Sequence, residues 1–386
     1  MRARAERTFE HLRVLAVEIG ERVAGTEEER TAAAYVASQF EAAGYAVTLE
    51  EFEVEFRITE GSVSIEGEGA PVPGFPLGES LSGEATGPLV FAGLGEPDEL
   101  ADVDAEGAIV LLDRGVLTFA DKARNAERAG AAGVVVVNRN PGDLYGTLGP
   151  DHGVSIPVIG VAGRYGQPLR TLAEDRAEVT IRSVVGSEPR TSQNVVARPE
   201  DGECRAYLGA HYDSINGPGA NDNASGTALL IELAGVSRAE GLADALCFIA
   251  FGAEEIGLFG SRAFVRAHDV SGAAFMLNFD MVARIGEQTG DGPRFIGGDE
   301  ALADLGAAVA ADLGYDIPRG AFPRNASSDH ASFSEAGVPA VTVHSGGAEF
   351  IHTPQDTIDT VSVEDLAVFL DVSIALLRRL VDERIR

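Results

Sequence analysis

The chain has 386 residues, 45% of them hydrophobic and 24% charged, and a formal net charge of −31. The length suits two domains around a large core, and the charge argues against nucleic acid or an anionic membrane as partner. Lys122 is the single lysine, and arginine supplies the other basic residues. A carboxylate-dense, lysine-poor surface suits a protein kept hydrated in strong brine, so a halophilic source is expected.

Residues 5–43 carry helical periodicity through Phe9, Leu12, Leu15 and Val17, then Ala33, Tyr35, Val36 and Phe40, with Gly44 as the stop. The N-terminus is charged and amphipathic, without the apolar centre or cleavage site of a signal peptide. No apolar run reaches the roughly 18 residues a membrane span needs, so a cytoplasmic protein is expected. Residues 46–56 alternate as a strand, and a Gly-, Pro-, Ser- and Glu-rich stretch follows.

Residues 107–183 hold a separate β/α pattern: GAIVLLDRG as a buried strand, FADKARNAERAGA as a helix, then AGVVVVN and VSIPVIGVAG as strands. Its one histidine, His152, lies in a Gly/Pro loop and reads as solvated. GSEPRTSQ (186–193) reads as a linker back to the main domain. Strands are then expected at 194–198, 204–211, 245–252, 273–280 and 338–344, and helices at 223–239, 259–268, 300–313 and 363–383. The fold class is α/β: a mixed, mostly parallel β-sheet flanked by helices, formed by residues 1–58 and 187–386, with a small β/α domain inserted at 59–186. Cys204 and Cys247 fall in apolar runs and read as buried free thiols, as a reducing compartment would keep them.

In such sheets the site lies at the carboxyl ends of the strands. His211, Asp222, Glu254, Glu255, Asp280 and His352 all follow apolar runs there. Two imidazoles and three carboxylates are a natural ligand set for two zinc-like ions sharing one carboxylate. The remaining acid, one of the adjacent Glu254 and Glu255, is what a water-activating general base looks like. Two adjacent acids at a buried strand end are costly unless neutralised. Asp213 is well placed to hold the second nitrogen of His211, and Asn223 or Ser225 to cap the next helix. Asp356 and Asp359 are candidates for a supporting role, Asp329 to orient a ligand, and His330 to line the pocket. His11 and His268 read as surface or capping residues, while His344 stays ambiguous.

Through HYDS (211–214), GANDNASG (219–226), AEEIGLFGS (253–261), NFDM (278–281) and HTPQDT (352–357), the chain resembles the M28 family of zinc aminopeptidases. The resemblance covers roughly residues 1–56 and 190–386 and implies the zinc exopeptidase fold. Residues 60–185 are similar to a protease-associated (PA) domain, through GAIVLLDRG, KARNAERAGAAGVVVVN and IPVIGV. The family implies that Asp222 bridges two Zn2+ ions, with His211 and Asp280 completing one site and Glu255 and His352 the other. It implies Glu254 as general base and then proton donor to the leaving amine, Asp213 behind His211, and a cis peptide after Asp222. Several members carry a tyrosine before the last histidine; this chain has Ile351, which leaves the oxyanion to zinc alone, Tyr212, His330 or a backbone N–H.

The function expected is release of N-terminal residues from peptide substrates. The alternatives are a carboxypeptidase, for which Arg324 is the candidate cation for the substrate carboxylate, a one-zinc glutaminyl cyclase, and a non-catalytic binding protein on the same fold. The sequence does not set the oligomeric state.

Overall fold

The computed structural model describes residues 2–67, 69–200, 202–286, 292–322 and 326–385. The chain forms two compact units, one from residues up to Val54 and from Pro189 onward, the other from Glu55–Glu188. Among the described residues no helix is long and apolar enough to cross a membrane.

Two helices open the larger unit: α1 (Arg2–Arg13) and α2 (Glu27–Ala42). Thr26 caps α2 by accepting the Glu29 N–H, and three glutamates fill its first turn, where the helix dipole favours negative charge.

The smaller unit follows, with β1 (Ala46–Ile65), β2 (Val72–Pro76), β3 (Gly83–Phe91), α3 (Pro97–Ala101), β4 (Ile109–Asp113), α4 (Phe119–Arg128), β5 (Gly133–Val137), β6 (Val158–Val161), α5 (Gly166–Glu174) and the start of β7 (Glu178–Arg198). β3, β4, β5 and β6 run parallel, with β2 antiparallel on β6 and β7 antiparallel on β3. The valine-rich strands are buried throughout, as parallel strands covered on both faces must be. Lys122 is also buried and donates to the Leu94 carbonyl.

Residues 186–193, expected as a linker, lie inside β7. β7 also pairs with β1, and a paired backbone overrides the weak strand propensity of Gly186 and Pro189.

The larger unit continues with β8 (Ala206–His211), α6 (Gly226–Ala239), β9 (Leu246–Phe251), α7 (Phe259–Ala267), β10 (Met276–Phe279), β11 (Arg294–Gly297), α8 (Glu300–Asp312), β12 (Arg319–Gly320), α9 (His330–Glu335), β13 (Ala340–His344) and α10 (Val363–Leu380). Strand order is β7-β9-β8-β10-β13-β11-β12. The central strands β9, β8, β10 and β13 are mutually parallel, while β7 and β11 run antiparallel beside them. This is the mixed, mostly parallel sheet expected. Alternate residues feed opposite cores: Leu208, Phe248 and Ala250 pack with α1, α2, α6 and α10, while Tyr207, Cys247 and Ile249 pack with α7 and α9.

One expectation is overturned here. Cys204 and Cys247 form a disulfide, with Cα atoms 5.3 Å apart. Parallel register sets Tyr207 beside Cys247, which brings Cys204 within the ordinary bridging range. With no free thiols in the chain, the cysteines give no support to a reducing compartment.

Candidate metal centre and cleft

Three parallel strands deliver the site. His211 ends β8, Asp280 directly follows β10, and Glu254 and Glu255 follow β9 on a short turn. Asp222 lies on the loop from β8 to α6, and His352 on the loop after β13. That first loop requires glycine at 219: its φ is +55°, and a Cβ there would stand 2.2 Å from the Asp222 carbonyl oxygen. The Asp222–Asn223 peptide is cis. The Asn223 side chain accepts from the N–H of Gly226 (2.9 Å) and Met281 (3.1 Å) and donates to the Phe279 carbonyl (2.9 Å), joining the start of α6 to the end of β10. Ala253, Leu258, Met281 and His352 all have φ between +53° and +59°, so left-handed backbone recurs on the turns around the site.

The six acids and imidazoles converge. His211 Nε2 is 3.3 Å from Asp222 Oδ1, 3.6 Å from Asp280 Oδ1 and 3.9 Å from Glu254 Oε2. His352 Nε2 is 3.3 Å from Asp222 Oδ2 and 2.7 Å from Glu255 Oε2. Two sets of donor atoms result, His211–Asp222–Asp280 and Asp222–Glu255–His352, each with its atoms within 4.8 Å of one another. All but His352 are buried or nearly so.

The electrostatics call for cations. Burial pushes Glu255 up to about 8 and Asp329 up to about 7, and holds Glu254 well above the carboxylate range. Hydrogen bonds to Asp222 and Glu255 lift His352 to about 10. Burial disfavours the His211 cation, yet the Glu254 charge and the carboxylates of Asp213, Asp222 and Asp280 outweigh it and raise that pKa too. Glu255 Oε1 and Asp280 Oδ1 are buried without hydrogen-bond partners. Nitrogen and carboxylate donors with unsatisfied buried atoms fit divalent ions of the zinc type.

A supporting layer holds these residues. Asp213 Oδ1 and Oδ2 accept the backbone N–H groups of Glu254 and Glu255, each at 3.1 Å. Its contact with His211 Nδ1 is longer, 3.5 Å. Asp356 accepts the N–H groups of Asn221 and Asp222, both at 2.9 Å. Fully buried Arg22 donates to five carbonyls: Leu15 (3.1 Å), Gly20 (2.6 Å), Tyr212 (2.6 Å), Pro218 (2.7 Å) and Gly219 (3.2 Å). One guanidinium thereby ties the N-terminal segment to the residue after His211 and to the approach to Asp222. Burial pulls Arg22 down to about 10, opposed by the charges of Asp213, Asp356, Glu255 and Asp222.

The centre opens into a cleft of about 640 Å³, walled by Met281, Ile296, Phe322 and Ile351 among others. Some expectations fail here. His330 is buried and does not line the cleft; its Nδ1 meets the Thr342 hydroxyl at 2.8 Å, and burial lowers its pKa to about 4. Tyr212 is fully buried, donating to the Gln193 carbonyl at 2.7 Å, so it does not face the oxyanion position. Asp329 makes no hydrogen bond to a ligating side chain among the described residues. Arg324 lies outside the described residues. His11 and His268 sit on other partners, Tyr35 and Glu50. His344, left ambiguous, lines the cleft, as does Arg294, which no local pattern singled out. Arg22 also carried no sequence signal, because all five acceptors are backbone atoms.

Comparison with known proteins agrees with this arrangement. Residues 194–377 match the model of peptidase family M28, and residues 85–169 that of the PA domain. Aminopeptidase YwaD of Bacillus subtilis (strain 168) is 31% identical over 94% of this chain and 82% of its own length. The structure of BSAP, a zinc aminopeptidase from Bacillus subtilis, superposes with a TM-score of 0.72 at 29% identity, covering 97% of this chain and 94% of that one. The aminopeptidase from Aneurinibacillus sp. strain AM-1 does so with a TM-score of 0.65 at 32% identity, covering 97% and 93%. On these matches, the chain belongs to peptidase family M28 and carries a PA domain within its inserted unit.

Proposed function

We propose that the protein is an aminopeptidase working with two zinc-type ions that share Asp222. The observation that carries the reading is the Asp222 carboxylate, with one oxygen 3.3 Å from His211 Nε2 and the other 3.3 Å from His352 Nε2. His211, Asp222 and Asp280 would hold one ion, and Asp222, Glu255 and His352 the other. Bound there, such a pair lowers the pKa of water and polarises a carbonyl.

Glu254 is the carboxylate outside both sets, and it lines the cleft. In this reading it takes a proton from the attacking water and passes it to the departing amine. Asp213 fixes the Glu254 backbone, so the carboxylate keeps its aim through both transfers. Glu254 and Asp280 make the floor acidic and favour a protonated α-amino group. That YwaD and BSAP are aminopeptidases supports this choice, since the chain matches both over most of their length. Residues 1–58 and 187–386 form the peptidase domain in this assignment, and 59–186 the PA insert. The acidic, lysine-poor composition is read as adaptation to brine.

The test is one pentapeptide in free, N-acetylated and C-amidated forms, with zinc and after chelation, alongside metal analysis. The free and amidated forms should be cut and the acetylated form spared. Chelation should stop turnover, and metal content should approach two ions per chain. Cleavage of the acetylated but not the amidated form would make the enzyme a carboxypeptidase.

A further inference from the structure

The row of residues at the strand ends continues past the metal ligands. Register sets Asn278 beside Gly209 and Phe279 beside Val343. Carried to the strand ends, it brings His211, Asp280 and His344 side by side on β8, β10 and β13. The Asp280 N–H donates to the Val343 carbonyl at 3.2 Å, so the register holds that far. Antiparallel β11 then sets Arg294 directly opposite His344. Directly opposed residues leave the same face of a sheet with Cβ atoms about 4.5–5.5 Å apart. All four residues line the one cleft. His211 and Asp280 belong to the metal centre, whereas His344 and Arg294 have no part in the reaction described above.

The chemistry of this second pair is that of a donor. The Gly346 N–H donates to His344 Nδ1 at 2.9 Å, so a neutral ring carries its proton on Nε2. Phe322 meets the His344 ring edge-on at 5.6 Å and limits its rotation. Arg294 Nε donates to the Gly292 carbonyl at 2.9 Å, which orients the guanidinium plane. An arginine and a histidine opposed across the register and lining one cleft, within apolar walls of Met281, Ile296 and Phe322, suit a carboxylate on a short apolar stem.

Resting on the aminopeptidase reading, we infer that Arg294 and His344 form a carboxylate-binding subsite for the peptide substrate, next to the metal centre on the β13–β11 side. Two groups of a substrate bring that chemistry within a few bonds of the scissile carbonyl. One is the side chain of an N-terminal glutamate or aspartate, the other the terminal carboxylate of a dipeptide.

The experiment uses the zinc-loaded enzyme. Its first arm compares kcat/KM for Glu-, Gln- and Leu-p-nitroanilide, and its second compares Leu-Gly with Leu-Gly-amide. Arg294→Gln and His344→Gln are measured beside the parent, with circular dichroism as the folding check. Loss of a charge-assisted hydrogen bond predicts that Arg294→Gln lowers the acidic-to-neutral ratio by about ten- to hundredfold, mainly through KM. The ratio that falls identifies the source: Glu over Gln for the side chain, acid over amide for the terminal carboxylate. Calorimetric titration with glutamate and with glutamine gives a readout independent of turnover, and Arg294→Gln should erase the preference for glutamate. Both ratios unchanged in both folded variants would overturn the subsite while leaving the aminopeptidase reading intact. Absence of turnover on every free-amine substrate would remove that reading and this one with it.

Discussion

Asp213 holds Glu254 by its backbone: the Asp213 Oδ1 accepts the Glu254 N–H at 3.1 Å, while Oδ2 does the same for Glu255. A single carboxylate therefore sets the turn that carries both the general-base candidate and a metal-ligand candidate. Asparagine keeps one acceptor at this position and turns an NH2 toward the other N–H. Asp213→Asn should lower kcat about 10- to 100-fold, the usual scale for residues that orient metal sites, and should weaken metal binding at the Glu255 set. Activity and chelator competition at parental levels would reduce Asp213 to a turn residue.

Glu254 and Glu255 are chemically alike and adjacent, yet only Glu255 lies in a donor set with His352. Glu254→Gln should bind metal normally and lose kcat by about 10²- to 10⁴-fold, the range of general acid–base catalysis. Glu255→Gln should lose metal first. An active Glu254→Gln enzyme short of metal would mean the two roles are exchanged.

Arg22 is the buried cation facing this cluster of acids, and its partners are five carbonyl oxygens. Arg22→Met removes both the charge and the ties, whereas Arg22→Lys keeps the charge. Arg22→Met should weaken metal at both sets by loosening the segments that carry His211 and Asp222, against the gain that a bound cation draws from losing a neighbouring positive charge. Arg22→Lys keeps the charge and loses most of the five ties, so it should weaken metal at least as much as Arg22→Met. The readout is a two-step zinc titration together with the Co2+ spectrum. Identical affinities in parent and Arg22→Met proteins would leave Arg22 a purely local brace.

Much of this site was legible because His211, Glu254, Glu255 and Asp280 end or follow apolar strands, where a charge needs a reason, while Asp222 and His352 lie on loops and were legible by the company they keep. The structure brings all six together. The supporting contacts were legible only in part. Asp213 was expected to act on an imidazole, and its closer contacts are backbone N–H groups, which no side-chain pattern encodes. Arg22 and the His344–Arg294 pairing depend on strand order and register, settled only when distant segments meet. The same cause hid the disulfide: Cys204 and Cys247 read as apolar residues until parallel register set Tyr207 beside Cys247 and brought Cys204 within reach. Residues 186–193 had the composition of a linker, and pairing made them strand.

Glu29, on the second helix, is buried behind the Glu254 turn, accepting from Gly25 N–H at 2.6 Å and Ser192 Oγ at 2.5 Å. Burial, with the nearby Asp213 charge, pushes its pKa up to about 7. A carboxyl whose folded pKa is raised contributes stability below its unfolded pKa and loses it as pH rises through the folded value. Between about pH 4.5 and 7 the cost is of order 3 kcal/mol. Glu29→Gln cannot ionise, so the melting temperature of the parent minus that of the variant should fall from pH 5 to pH 8. A difference flat across that range would mean that Glu29 stays ionised in the fold.

Salt should act on the whole molecule. With a net charge of −31 and one lysine, the folded chain concentrates like charges that the unfolded chain spreads apart. That repulsion is long-range in dilute buffer, with a Debye length of about 30 Å at 0.01 M, and is cut to about 3 Å at 1 M. Among the described residues, pairs such as Arg2–Glu6 and Arg30–Glu27 are solvent-exposed and contribute about 0–1 kcal/mol each, so screening them costs little. Screening the self-repulsion therefore outweighs screening the pairs, and the melting temperature should rise steadily from about 0.1 M to about 3 M KCl. The zinc-loaded protein should be compared in KCl and in an uncharged osmolyte of equal osmolality, which leaves charge unscreened. A rise in KCl that the osmolyte does not reproduce is the expected result. A flat or falling curve in KCl would end the brine-adapted reading and leave the metal centre untouched.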